Sequence, residues 1–302
     1  MTLKEYLQER YTPSTADRYY RDILIYLDKL PQEKAMNAGY KDVLNYLDLL
    51  RKKYDNPETI KCNLQAIKKY YYWLILSGHR KDHPCRYLLL RDKVSRDVQL
   101  QDLFTPEELE LLMERKERFI KVKVKNQVIV SLLIYQGLTR NDIVRLTLND
   151  VDLEEGTIYI KADSKTNSRT LKLKPKQIML MYKYIHEARP KLLTSAKGKR
   201  HAMSDELILT KDGTPERGEG IGYLLEQMRH LFTPKGAHGP ERKLNAKTVR
   251  MSVIANLLKA GHDLRLVQVF AGHKYPSSTE RYRQTGIEEL KAEIEKYHPL
   301  KD

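Results

Sequence analysis

Disulfide chemistry is nearly closed to this chain, because its 302 residues include only two cysteines, Cys62 and Cys85. Neither a disulfide framework nor a multi-cysteine metal site can be built from so few thiols. His79 and His83 lie near Cys85, but no second pair of ligands at zinc spacing accompanies them, and the cluster falls where a helix is expected to end. No zinc site is therefore expected. Long apolar runs are also missing. No stretch approaches membrane-spanning length and no N-terminal segment has the shape of a signal peptide, so a cytoplasmic protein with no membrane partner is expected. Long blocks of like charge are absent too.

What the chain does have is an excess of positive charge. The formal net charge is +15 and the pI about 9.5. Without a basic tail, that excess must be spread over a mixed-sign surface. Basic globular proteins favour polyanions, of which nucleic acid is the commonest. The length is sufficient for two domains, each with its own core.

Hydrophobic spacing divides the chain in two. Thr12-Pro13-Ser14-Thr15 opens a helix, with Ser14 or Thr15 as cap, that continues through Tyr19, Ile23, Tyr26, Leu27 and Leu30. Pro31 and Gly39 punctuate, and Val43, Leu44, Leu47 and Leu50 form a second stripe. Asn56-Pro57-Glu58-Thr59 starts a helix through Ile60, Leu64, Ile67, Tyr71 and Leu74 that ends near Ser77-Gly78. Residues 1–90 thus read as a bundle of about four helices. Most of Tyr19, Tyr20, Tyr70, Tyr71 and Tyr72 belong to its core, and Lys61, Lys68 and Lys69 are assigned to a phosphate-facing side. Residues 91–103 carry little periodic signal and read as a linker. From Thr105-Pro106, a capped helix start, helical patterns dominate residues 104–302. They include Ile143–Leu148, Lys176–Arg189, Gly220–Phe232, Lys247–Ala260 and Leu264–Ala271. Gly156–Lys161 and Thr170–Lys174 alternate like two short strands. The expected fold is mainly α with a small inserted antiparallel sheet.

One stretch is far more specific than the rest. It runs from Arg250 through Ala260-Gly261, then Asp263 to Gly272-His273, and on to Ser278-Thr279-Glu280-Arg281-Tyr282. An arginine opening a helix, a turn at Ala-Gly, a Gly-His after the next helix and a tyrosine nine positions beyond the histidine closely resemble the tyrosine recombinase (phage integrase) signature. Upstream, Tyr135-Gln-Gly-Leu-Thr-Arg-Asn-Asp142 resembles the family's "Thr-Gly-Leu-Arg-x-Ser-Glu-Leu" box. Ser164-Lys165-Thr166 resembles the hairpin that carries its lysine. The similarity spans about residues 104–290, and the N-terminal helices suit the family's core-binding domain by position.

The resemblance implies a two-domain clamp on double-stranded DNA and phosphoryl transfer that uses neither ATP nor metal. Tyr282 would be the nucleophile, giving a 3′-phosphotyrosyl bond. Arg250 and His273 would be phosphate donors, Lys165 the acid for the leaving oxygen, and Asp142 a brace for the first-arginine region. Two positions depart from the pattern. Thr139 stands where the first arginine is usual, with Arg140 next to it as a possible substitute, and Lys247 stands where a histidine is usual. The implied activity is site-specific recombination for integration or excision of a mobile element. The alternative, motivated by Thr139 and Lys247, is a weak or silent DNA-binding descendant. Ile287–Tyr297 reads as an amphipathic helix, which the resemblance assigns to docking on a neighbouring protomer of a homotetramer on DNA.

Overall fold

The computed structural model describes residues 1–92, 103–117, 119–195, 197–201, 203–232 and 242–283. The chain forms two compact units, Met1–Arg96 and Asp97–Asp302. Most of the expected linker and all of the expected helix Ile287–Tyr297 lie outside the described residues.

The N-terminal unit holds α1 (Leu3–Arg10), α2 (Pro13–Lys29), α3 (Gln32–Asn37), α4 (Tyr40–Lys53) and α5 (Pro57–Leu76). Local chemistry sets several starts. Thr2 and Glu5 close a reciprocal capping box on α1, and Asn56 accepts from the Glu58 amide ahead of Pro57 at the first position of α5. The core joins α2 and α5 through Ile23, Tyr26, Ile67, Tyr70, Tyr71 and Leu74. At its centre the Tyr26 and Tyr71 hydroxyls share a 2.6 Å hydrogen bond, and Tyr71 also donates to the Ala35 carbonyl. Burial pushes the Tyr26 phenol up to about 12, so both hydroxyls stay protonated and paired.

The lysine row on α5 requires a correction. Lys68 is buried, and its Nζ donates to the Arg86 carbonyl at 3.0 Å. Lys61 donates to the Asp92 carbonyl at 2.5 Å and pairs with Glu58, while Lys69 lies over the rings of Tyr11 and Tyr72. These lysines tie the segment after α5 and the tyrosine rings to the bundle instead of presenting a free row to phosphates. His83 is structural as well: its Nε2 meets the Lys68 carbonyl and its Nδ1 accepts from the Cys85 amide.

The second unit contains α6 (Pro106–Leu111), α7 (Ile120–Gln136) and α8 (Arg140–Val144). Then come β1 (Val151–Asp152), β2 (Thr157–Ile160) and β3 (Arg169–Lys172), followed by α9 (Pro175–Lys183), α10 (Arg189–Leu193), α11 (Gly218–Glu226), α12 (Ala246–Lys259), α13 (Leu264–Ala271) and α14 (Ser277–Glu280). A π-helical turn, Tyr184–Ala188, joins α9 to α10. α7 is its central element, with Val128, Ile129, Leu132 and Leu133 fully enclosed. The sheet is antiparallel in the order β1-β2-β3, with Ile158 opposite Leu171 and Ile160 opposite Arg169. Helix α8 begins and ends earlier than the apolar spacing Ile143–Leu148 suggests, because Thr139 and Asp142 form a capping box that starts it at Arg140. Among the described residues no helix is long and apolar enough to cross a membrane.

Candidate active site

Two left-handed glycines set the geometry. Gly137 (φ 57°) ends α7 and Gly272 (φ 69°) ends α13, and each turn leaves carbonyls at a helix C-terminus without an intrahelical partner. Arg250, on the buried face of α12, spans both ends. Its Nη1 donates to the Gly137 carbonyl at 2.7 Å and its Nη2 to the Ala271 carbonyl at 2.5 Å. A planar guanidinium suits this bridge, and the negative ends of two helices favour its charge. Burial, and then the like charge of Arg169, bring its pKa down to about 10, so it remains cationic at neutral pH.

His273 follows Gly272 directly. Its Nδ1 is 2.8 Å from the Thr279 hydroxyl, and its ring stacks on Tyr282 with centroids 6.3 Å apart and planes within 13°. If the Thr279 hydroxyl is the donor, Nε2 carries the proton and can donate to an incoming oxygen. Tyr282 is half-buried against the cluster of Ile254, Val267 and Ala271. Burial raises its pKa while Arg281 and Arg250 oppose the rise, so the phenol is protonated at rest. By contrast Tyr275, the other tyrosine in this region, is 70% exposed.

The lysine hairpin is stitched to the same turn. Thr166 forms a β-bridge with His273, the Asn167 amide donates to the Gly272 carbonyl at 2.9 Å, and Lys274 Nζ donates to the Ser164 carbonyl at 3.0 Å. Asp163 shapes the loop by accepting from the amides of Lys165 and Thr166 at 2.6 and 2.7 Å. Burial works against its ionisation, but those donors outweigh it and hold the carboxyl below its ordinary range. The Lys165 residue itself is exposed. Lys247 is exposed too, one turn before Arg250 on α12, where Asn245 caps its amide.

Asp142 is buried and accepts from the Thr139 amide at 3.0 Å and from Arg169 Nη2 at 3.3 Å. Thr139 Oγ1 accepts in turn from the Asp142 amide. Arg140 does not fill the place next to it, which corrects the expectation of a substitute there. Its residue is exposed and its guanidinium turns toward the Gly218 carbonyl of α11, because successive helical residues point about 100° apart. Arg169 and Thr279 were not anticipated. Arg169 was nevertheless detectable, since it shares the inward register of β3 with Leu171. A cavity of about 180 Å³ opens beside His273, walled by Asn167, Arg265 and Gln268 among others.

His273 gives a pH signature. Burial, then Arg250, Arg281 and Arg169, bring its pKa down from 6.5 to about 4, so the ring is neutral at pH 7. A depressed folded-state pKa contributes stability that is present above pH 6.5 and lost as the pH falls through about 4. NMR titration of the DNA-free protein should therefore place the His273 midpoint well below 6.5. A midpoint at or above that value would mean the ring is not enclosed as described.

The arginine that bridges two helix ends, the Gly-His turn, the stacked tyrosine and the lysine hairpin thus meet at one place in the fold. The model of the phage integrase family matches residues 102–289, and that of the phage integrase N-terminal SAM-like domain matches residues 2–78. The chain belongs to the phage integrase family, the tyrosine recombinases. It is 25% identical over 299 residues to tyrosine recombinase XerD of Oceanobacillus iheyensis, covering 95% of this chain and 92% of that protein. It is 27% identical over 305 residues to XerC of the same organism, covering 99% and 95%. The fold is shared with the XerH site-specific recombinase bound to palindromic difH substrate (TM-score 0.68, 19% identity, 93% of this chain and 78% of that one). It is shared also with the Tn1549 transposon integrase in complex with transposon right end DNA (TM-score 0.67, 17% identity, 98% and 99%).

Proposed function

We propose that this recombinase cleaves and rejoins double-stranded DNA at a specific site through Tyr282, in the integration or excision of a mobile element. The phenolic oxygen of Tyr282 attacks the phosphorus of a phosphodiester, the 5′-oxygen leaves, and a 3′-phosphotyrosyl bond forms. The phenol proton passes to water, and Lys165 returns a proton to the departing 5′-oxygen. Attack by a 5′-hydroxyl reverses each transfer and reseals the strand. Arg250 and the Nε2 proton of His273 offset the charge that builds on the non-bridging oxygens, and Lys247 adds a third donor at the rim. The observation that carries this reading is the convergence on one Gly-His turn of Arg250 from α12, the ring of Tyr282 and the hairpin bearing Lys165.

The decisive experiment traps a covalent protein–DNA adduct on a nicked duplex and then follows the strands. Exchange between two duplexes supports recombination, while relaxation alone indicates a topoisomerase. Binding with no adduct points to a silent descendant, the reading that Thr139 and Lys247 favour.

A basic chain that grips phosphates releases counterions on binding. With about six or more phosphate contacts, log affinity against log salt should fall with a slope of about −5 or steeper. A titration from low to high salt checks this, and a flat response removes DNA as the partner. A homotetramer on DNA, held by residues 286–302, belongs to the same proposal. Deleting that segment should abolish strand exchange while the monomer still folds, and undiminished exchange would dismiss the role.

A further inference from the structure

We infer that Arg169, buried beneath the Gly-His turn, supplies the positive charge that the chain lacks at position 139. This deepens the strand-transfer reading and rests on it.

Three features make Arg169 more than a structural ion-pair partner. First, its side chain is 2% exposed, and its carboxylate partner Asp142 is 1% exposed, yet the pair is loosely made. A single contact of 3.3 Å joins them, while Arg169 Nε and Asp142 Oδ1 have no hydrogen-bond partner among the described residues. A buried arginine–carboxylate pair is frequently closed as a two-bond fork, because burying charge is costly unless it is well paired. Here Asp142 divides its one engaged oxygen between Arg169 and the Thr139 amide, so the guanidinium is incompletely neutralised.

Second, the tip of Arg169 is pressed beneath the Gly-His turn. A Cβ on Gly272 would come within 2.6 Å of Arg169 Nη1, and Nη1 lies 3.4 Å from the Asn167 carbonyl on the lysine hairpin. The guanidinium therefore underlies the backbone that carries His273 and contacts the hairpin that carries Lys165. Its like charge also bears on both Arg250 and His273, in each case lowering the pKa.

Third, Asp142 connects this charge to the altered position. Thr139 and Asp142 cap one another, so Arg169 reaches the Thr139 turn through one shared carboxylate. An arginine at 139 would stand on the same carboxylate. Arg169, arriving from β3, occupies that electrostatic place without touching DNA. It is thus a positioning residue: it acts through Arg250 and the His273 turn.

The test uses the full chain and single-turnover cleavage of a nicked duplex at saturating DNA. Arg169→Lys keeps the charge and should cleave within about threefold of the parent rate. Arg169→Gln removes the positive charge and keeps the Asp142 carboxylate as the seat for an arginine at 139. It should slow cleavage on the order of 10²-fold, as loss of one transition-state cation does, with DNA affinity little changed. Adding Thr139→Arg to Arg169→Gln should recover most of the rate, a rescue that a mere packing strut would not permit. An unslowed Arg169→Gln variant overturns the inference, as does a folded, slow one whose rate neither Arg169→Lys in its place nor added Thr139→Arg restores. Should Arg169→Gln fail to fold, Thr139→Arg alone still decides. A change within about threefold supports Arg169 as the charge already present, and a gain of about 10²-fold shows that the charge was missing. Failure of the strand-transfer reading itself is distinguishable, because the parent chain would then form no adduct.

Discussion

Tyr282→Phe should abolish covalent attachment to DNA while leaving DNA affinity and folding close to those of the parent. The substitution removes one oxygen and retains the ring that stacks on His273 and packs on the cluster of Ile254, Val267 and Ala271. Electrophoresis of proteolysed protein–DNA mixtures reads the outcome. An adduct that persists in the Phe variant would identify another nucleophile, with Tyr275 the first to examine because it is exposed two residues after His273. The effect is complete because phenylalanine has no oxygen with which to form the phosphotyrosyl bond.

Asp142→Ala should destabilise the catalytic unit by about 3–5 kcal/mol, the usual consequence of stranding one member of a buried ion pair. Arg169 would keep its charge in an enclosed site, where it already opposes that of Arg250, with its one ion pair among the described residues gone. Loss of the Thr139–Asp142 cap would add about 1 kcal/mol at the start of α8. The single tryptophan, Trp73, lies in the N-terminal unit, which provides an internal control. Its fluorescence transition in denaturant should stay in place while the circular dichroism transition of the remaining helices moves to lower denaturant. A combined shift below about 1 kcal/mol would mean the pair contributes nothing beyond a surface bridge.

These effects trace back to how the fold was encoded. The long helices and the hairpin were legible because their spacing repeats, and the Arg250–Tyr282 stretch because its residue types are rare at that spacing. Lys68 was misassigned although it lies one helical turn from both Leu64 and Tyr71, which marks it as core-facing. A lysine on a core face reads as solvent-facing until its terminal nitrogen is seen to reach a carbonyl. α3 went unread because six residues between Pro31 and Gly39 are too few to show a period. The Arg250 bridge to two helix ends was not legible at all, since its acceptors are backbone carbonyls 113 and 21 residues away in sequence. Arg140 illustrates a third kind of failure. Adjacency in sequence suggested substitution, but helical rotation carries its side chain to α11.

The seam between the Thr166 loop and the Gly-His turn works as a clutch. Through it the lysine hairpin and the Gly-His turn belong to one mechanical part, so in the proposed reaction Lys165 and Tyr282 engage or disengage as a set. A protomer that slips this seam should lose the chemistry outright instead of running slowly with a displaced acid. Amide exchange at Asn167, the donor to the Gly272 carbonyl, would report that slip directly. Its rate should track the inactive fraction of the protein one for one.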